Sequence, residues 1–291
     1  MSAPRVFFLI GPTAVGKTEL SLELASRFSA DIVSADSRQI YRYMDIGTAK
    51  PTPQERRRVP HHFIDIRDPD ESYSAGEFGR EARQCIAELL QRGRGVWVVG
   101  GSGFYLQALV SGLFAPQVSD PQVKEKWRQA IREQGREADY AYLQQVDPET
   151  HNRLHVNDTQ RIVRALEVYE LSGRPISYFR SGEEQPAEFT PLYIGLGRPR
   201  SSLYQRIESR VDRMLKIGLL EEVADLLERG WDARLNALRT VGYEEVFSYF
   251  DGRIDYPQMV QLIKQNSRHY AKRQGTWVRQ LPDVTWVDLE Q

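Results

Sequence analysis

Gly11, Pro12, Thr13, Ala14, Val15, Gly16, Lys17 and Thr18 match G-x-x-x-x-G-K-[ST], the spacing of a loop that cradles phosphate. The glycines let backbone N–H groups turn inward towards phosphate oxygens, and a following helix adds partial positive charge. At these positions Lys17 can reach a terminal phosphate, and the Thr18 hydroxyl can hold Mg²⁺. The ligand implied is a diphosphate or a triphosphate. The loop does not say whether a phosphoryl group is transferred or simply leaves.

A second chemical candidate is Asp36, at the end of Asp31-Ile32-Val33-Ser34-Ala35, which reads as a strand. A carboxylate there can act as a general base or a metal ligand. It can equally be a turn-forming Asp ahead of Ser37. A P-loop ATPase usually carries an acid after an apolar strand, to hold Mg²⁺. Here the strand expected at Val96–Val99 runs into Gly100-Gly101-Ser102-Gly103 with no acid. That counts against ATP hydrolysis and favours close approach of a bulky partner. His61 and His62 are adjacent on an expected strand, so they face opposite ways and cannot chelate one ion together.

These residues need a scaffold, and the pattern supplies one. Val6-Phe7-Phe8-Leu9-Ile10 reads as a buried parallel strand, and Leu20, Leu24 and Phe28 with Ala25 recur at helical spacing. His61–Ile66 is expected to be a third strand. Ser74-Ala75-Gly76-Glu77 is a capping box opening a helix with Phe78, Ala82, Ile86 and Leu89 on its apolar face, and Cys85 as a small core residue. After Val96–Val99, Tyr105–Val110 is helical. The alternation implies an α/β fold, a P-loop NTPase-like parallel sheet flanked by helices, with ligands at the carboxyl ends of the strands. From Pro116 the chain turns polar and helical, an all-helical insertion expected over residues 116–189. Leu192–Leu196 returns as a strand, followed by helices near residues 201–216, 219–228, 241–250 and 256–279. The core domain is therefore expected to comprise residues 1–115 and 190–291.

Composition narrows the setting. The 291 residues carry a net charge of −1, so no global field advertises a polyanion. Basic residues gather locally: Gln160-Arg161-Ile162-Val163-Arg164, then Arg198 to Lys216, then Arg268, Lys272, Arg273 and Arg279 interleaved with Tyr270 and Trp277. Each cluster taken singly can be a solvated helix face, but three around one phosphate site point to an extended polyanion. Arg206 and Arg210 lie four apart on one helix face, placed to close over a diphosphate. One cysteine excludes a disulfide framework and a Cys-based zinc site in this sequence. No leader and no membrane span are expected, since no apolar run approaches ~18 residues. A cytoplasmic setting follows.

Several blocks in order resemble the bacterial-type tRNA dimethylallyltransferases, also called tRNA isopentenyltransferases. They are Gly11–Thr18, Ser34-Ala35-Asp36-Ser37-Arg38-Gln39-Ile40-Tyr41, Met44–Pro51, Pro60-His61-His62 and Val99–Tyr105. Asn157-Asp158 to Arg164, Arg206 to Leu215, Val241-Gly242-Tyr243 and Lys272–Trp277 complete the set. The resemblance implies transfer of a dimethylallyl group from dimethylallyl diphosphate to N6 of adenosine 37 in tRNA. By it, the loop Gly11–Thr18 holds the leaving diphosphate rather than ATP, with Mg²⁺ on Thr18. Asp36 becomes the general base and Arg210 a diphosphate ligand, with Lys17 and Thr18 in the catalytic set. The implied tRNA contacts are Asp36, Ser37, Arg38, Gln39, Ser102, Lys124, Gln160, Arg161, Ile162, Val163 and Arg164. A further run covers Arg239, Thr240, Val241, Gly242, Tyr243 and Glu244. Ser102 stands where the family more often has Thr and keeps the hydroxyl. The partners are then tRNA, through its anticodon stem-loop, and dimethylallyl diphosphate, with no membrane and a monomeric enzyme. The competing readings are a P-loop kinase or ATPase, an RNA-binding protein that does no chemistry, and a prenyltransferase acting on free adenine nucleotides.

Overall fold

A computed structural model describes residues 3–112, 118–180 and 186–290. Six strands form one sheet: β1 (Arg5–Ile10), β2 (Ala30–Ala35), β3 (His61–His62), β4 (Gly95–Gly100), β5 (Thr190–Gly197) and β6 (Thr285–Asp288). Their order is β3-β2-β4-β1-β5-β6 and every pairing is parallel. The crossovers carry helices α1 (Lys17–Arg27), α2 (Pro53–Arg58), α3 (Ala75–Gln91) and α4 (Gly103–Ser111). Beyond β5 come α10 (Arg200–Lys216), α11 (Leu219–Glu228), α12 (Tyr243–Phe250) and α13 (Tyr256–Val278), after the helices α5 to α9 described below.

The chemistry of β1 shows why a parallel sheet forms. Val6, Phe8 and Ile10 point into one apolar layer with Phe78, Ala82, Ile86 and Leu89 of α3. Leu9 points into the other, with Leu22 and Ala25 of α1. A strand buried on both faces needs an unbroken apolar run, and covering both faces requires helices on each. The capping box of α3 is present: Glu77 N donates to Ser74 Oγ (3.1 Å) and Ser74 N to Glu77 Oε2 (2.7 Å). Cys85 packs half-buried against this layer, and burial pushes its thiol up to about 11.

Three expectations need correction. The third strand stops after His62, because Phe63 and Asp65 adopt left-handed backbone (φ 65 and 56) that ends a ladder. Phe28 is largely exposed at the end of α1 rather than part of its buried face. The edge strand β6 has no counterpart in the sequence reading; all four of its residues are exposed, so no buried alternation marks it.

The chain divides into two compact units, Met1–Val110 with Ala187–Gln291, and Ser111–Pro186. The expected boundary at 115/116 lies outside the described residues. At the seam of the first unit, Ala187 N donates to Val110 O at 3.0 Å. The second unit holds α5 (Pro121–Gln134), α6 (Arg136–Val146), α7 (Pro148–Arg153), α8 (Thr159–Ser172) and α9 (Ile176–Arg180), with no strand among its described residues. Leu143, Ile162, Ala165, Leu166, Val168 and Ile176 form its core.

Candidate active site

Register brings the expected chemistry together. Ile10 pairs with Gly100, and Gly100 with Ala35, so β1, β4 and β2 end on one row. The phosphate loop, the Gly101-Ser102 turn and Asp36 therefore emerge side by side. At about 4.8 Å per strand spacing, the ends of β1 and β2 stand roughly 10 Å apart. A cavity of about 840 Å³ opens over them, and its walls include Thr13, Lys17, Thr18, Asp36, Arg210 and Tyr270. All of these belong to the first unit.

The loop is held from several directions. Lys17 Nζ donates to Gly11 O and Pro12 O, each at 2.8 Å. Burial lowers its ammonium to about 8; Asp36 acts against that fall and Arg210 adds to it. Ala14 takes left-handed backbone at φ 63. Three arginines close over the loop: Arg198 Nε donates to Val15 O, Arg206 Nε to Ala14 O and Arg210 Nη1 to Thr13 Oγ1, each at 2.9 Å. Burial also lowers the Arg210 guanidinium, while Asp36 and Tyr270 raise it. A desolvated arginine and lysine facing one carboxylate form a preorganised anion site.

Asp36 is fixed by its own turn. Its Oδ1 accepts Arg38 N (2.9 Å) and Gln39 N (3.4 Å), leaving the rest of the carboxylate in the cavity wall. Ser102 braces the turn from β4, its Oγ accepting Ser37 N at 3.0 Å. Burial pushes the nearby Tyr270 hydroxyl up to about 12; Asp36 raises it further, and Arg38 and the Ser102 hydroxyl counter. Arg38 spends its guanidinium on main chain: Nη1 donates to Asn236 O (2.7 Å) and Ala237 O (3.3 Å), Nη2 to Arg239 O (3.3 Å). Gln39 Nε2 reaches Thr48 O and Ala49 O at 3.3 Å. The expected RNA residues Thr240, Val241 and Gly242 line the same cavity, and Glu244 is exposed beside them.

Some side chains expected to meet RNA are in the core. Tyr243 is 0 % exposed and donates its hydroxyl to Glu222. Ile162 and Val163 are 0 % and 4 % exposed, the buried side of α8. None of the three offers a side chain to a partner. In the second unit Gln160 and Arg161 face outward, while Arg164 Nη1 is engaged by Glu167 Oε2 (2.7 Å) and Val118 O (2.8 Å). Lys124 Nζ donates to Ser119 Oγ at 2.7 Å and lies 3.6 Å from Glu167 Oε1.

Sequence reasoning missed three groups. Gln274, 7 % exposed, reaches the phosphate loop across 261 residues, its Oε1 accepting Thr13 N at 2.8 Å. Glu222 gathers the N–H groups of Asp45, Ile46 and Gly47 at 2.6 to 3.0 Å. Lys50 is buried between Asp45 (2.5 Å), Asp65 (2.6 Å) and Tyr41 O (2.7 Å). Gln274 and Lys50 lie inside the matched blocks, but nothing local shows what a glutamine binds 261 residues away, or that the lysine is turned inward between two nearby carboxylates.

A sequence model of the family described as "IPP transferase" matches residues 39–281. The chain is 48 % identical over 289 residues to tRNA dimethylallyltransferase 2 of Geotalea uraniireducens, covering 99 % of this chain and 93 % of that one. It is 44 % identical to the tRNA dimethylallyltransferase of Thermotoga maritima, over 96 % of this chain and 90 % of that one. Among solved structures, the tRNA isopentenylpyrophosphate transferase of Bacillus halodurans is similar with a TM-score of 0.71 at 38 % identity, over 99 % of this chain and 90 % of that one. A eukaryotic dimethylallyltransferase captured acting on tRNA is similar with a TM-score of 0.82 at 28 % identity, over 98 % of this chain and 74 % of that one.

Proposed function

Because the chain belongs to the IPP transferase family, we propose a division of labour in this cavity for its reaction, the transfer of a dimethylallyl group to tRNA. The donor is dimethylallyl diphosphate and the acceptor is N6 of adenosine 37, beside the anticodon. The bond from N6 to the allylic carbon forms as the carbon–oxygen bond to diphosphate breaks, its electron pair leaving with the diphosphate. The N6 proton passes to Asp36.

The observation that carries this reading is the shared row of strand ends. It sets an anion-holding loop and a carboxylate across one cavity, about two strand spacings apart. An exocyclic adenine amine is a poor nucleophile because its lone pair is delocalised into the ring, so a base matters. Accepting its proton is worth about 10²–10⁴-fold. Lys17, Arg210 and the loop N–H groups meet the negative charge that develops on the departing diphosphate. The flipped base has to reach a recessed carboxylate, which an unstacked anticodon-loop nucleotide can do.

Magnesium fits here as a companion of the diphosphate. Among the described residues no group of three or more His, Cys, Asp or Glu is placed to hold a metal. Thr18 brings one hydroxyl to the cavity wall, which suits an ion that takes its other ligands from phosphate and water. When bound, it supplies positive charge to the leaving group.

A monomer working in the cytoplasm is part of the same reading. Among the described residues no helix is long and apolar enough to cross a membrane. The deciding experiment is transfer of labelled dimethylallyl to an anticodon stem-loop carrying A37, with a G37 loop as control. Label on A37 alone is the expected result. ATP hydrolysis without label transfer overturns the reading, and labelling of free adenine nucleotides but not RNA moves the acceptor.

A further inference from the structure

We infer that Gln274 is a positioning residue for the transfer step: one carboxamide that sets the phosphate loop against the turn carrying Asp36. The inference rests on the reaction proposed above. Gln274 lies in α13, 7 % exposed, and both ends of its amide are engaged. Oε1 accepts Thr13 N at 2.8 Å, and Nε2 donates to Gly101 O at 3.2 Å. The two partners belong to different halves of the chemistry. Thr13 is the loop residue whose hydroxyl takes Arg210 Nη1 at 2.9 Å. Gly101 precedes Ser102, whose Oγ accepts Ser37 N at 3.0 Å beside Asp36.

A continuous path therefore joins the donor side to the acceptor side: Arg210, Thr13, Gln274, Gly101, Ser102, Ser37 and then Asp36. Adjacent strands hold β1, β4 and β2 in register only up to the row of Ile10, Gly100 and Ala35. Beyond that row Ser102 N still donates to Ala35 O at 3.3 Å, tying the β4 turn to β2, and the Gln274 side chain ties that turn to the phosphate loop that follows β1. The orientation of the amide is set by its partners. A flipped amide places Oε1 against the Gly101 carbonyl and NH₂ against the Thr13 N–H, two repulsive contacts in place of two bonds. The space is equally specific. A Cβ on Gly101 would lie 2.3 Å from Gln274 Nε2 and 3.2 Å from Gly11 O, so glycine is what lets the amide in.

Misalignment by about 1 Å costs on the order of 10²-fold when it is felt in the transition state. The expected signature of a positioning role is accordingly in kcat. Gln274→Leu should lose about 10- to 100-fold in kcat, with KM for dimethylallyl diphosphate and affinity for the stem-loop within about threefold of wild type. Gln274→Glu gives a pH test. One carboxylate oxygen still serves Thr13 N, but the other repels Gly101 O unless it carries a proton. The ratio of variant to wild-type kcat should rise as pH falls from about 8 to about 6, because protonation restores the donor. In a double-mutant cycle, Gly101→Ala should cost less in the Gln274→Leu background than in wild type, since part of its harm is the clash with the amide.

A Gln274→Leu protein with kcat within threefold of wild type overturns the inference. So does a Gln274→Glu ratio that stays flat with pH. If the Leu variant does not fold, as melting and stem-loop binding report, the Glu profile decides alone. Wild-type protein that transfers no dimethylallyl group at all is a different failure, that of the proposed reaction, and is read before any variant is compared.

Discussion

The Tyr243 hydroxyl donates to Glu222 Oε1 at 2.6 Å, and that same carboxylate collects the N–H groups of Asp45, Ile46 and Gly47. One acid thus fixes the turn that precedes Thr48 and Ala49, the residues whose carbonyls anchor Gln39 next to Asp36. Tyr243→Phe removes one bond to a charged acceptor and should cost about 1.5–3 kcal/mol in denaturant unfolding. Gly47→Ala should be at least as damaging: its Cβ would lie 2.4 Å from the buried Tyr243 ring, which has nowhere to go. Midpoints of guanidinium unfolding for the two variants test this, and an unchanged midpoint for Gly47→Ala contradicts the geometry.

Asp36→Asn keeps the turn, because the amide oxygen can still accept Arg38 N and Gln39 N. In the proposed reaction, only the proton acceptor is lost. Transfer to the stem-loop should fall about 10²–10⁴-fold while stem-loop binding, measured by fluorescence anisotropy, stays within threefold. Transfer at near-normal rate would remove Asp36 as the base.

Lys17 predicts a pH dependence of the free protein. With its ammonium lowered to about 8, the folded chain sheds this proton between that value and the ordinary lysine range near 10.5, where the unfolded chain still holds it. Burial of the charge therefore weakens the fold below pH 8, and the Lys17 contribution to stability rises with pH through that window. The Cys85 thiol and Tyr270 hydroxyl, raised by burial, act the other way above about 9. The difference in unfolding free energy between wild type and Lys17→Met isolates the lysine. Diphosphate binding has the opposite sign. The bound anion favours the ammonium, so binding near pH 8–9 should take up a proton, seen as a buffer-dependent enthalpy in calorimetry. Lys17→Met should abolish that uptake.

Arg210 and Arg206 should separate. Arg210 bonds to the Thr13 hydroxyl from a desolvated position, whereas Arg206 lies in an exposed contact with Ala14 O. Arg210→Lys keeps the charge but loses the fixed fork and should lower kcat/KM for the diphosphate donor by about 10²-fold or more. Arg206→Lys should lower it by less than about tenfold. Steady-state kinetics with varied donor distinguish the two, and equal losses would mean both arginines grip the leaving group.

In the second unit, Arg161 is the exposed cation of its block, paired to Asp158 at 2.8 Å. Arg161→Ala should weaken stem-loop binding and reduce the slope of log affinity against log salt by about one. Ile162→Ala should instead lower the stability of the helical unit, because that side chain is core.

What could be read from the residues alone follows from where each signal lives. The strands at Arg5–Ile10, Ala30–Ala35 and Gly95–Gly100 announce themselves through short apolar runs that burial requires, Val6–Ile10, Ile32-Val33 and Val96–Val99, with Asp31 and Ser34 the buried polar exceptions in the second. Thr285–Asp288 is an exposed edge, so its pairing with β5 is written in main-chain bonds and not in side chains. The loop and Asp36 are local motifs and survive without coordinates. Gln274 and Glu222 act across 261 and 175 to 177 residues, distances at which only a fold shows what an amide or carboxylate touches. Tyr243 and Ile162 fail the other way. They sit in blocks read for RNA, but helical periodicity turned them inward.

At the seam between Val110 and Ala187, a main-chain bond joins the two ends of a 76-residue segment, Ser111–Pro186, at the edge of the sheet unit. Closure entropy grows only slowly with the length of such a detour. A change in the length of the segment between those two positions therefore carries little closure cost for the sheet unit, whose ends are already joined.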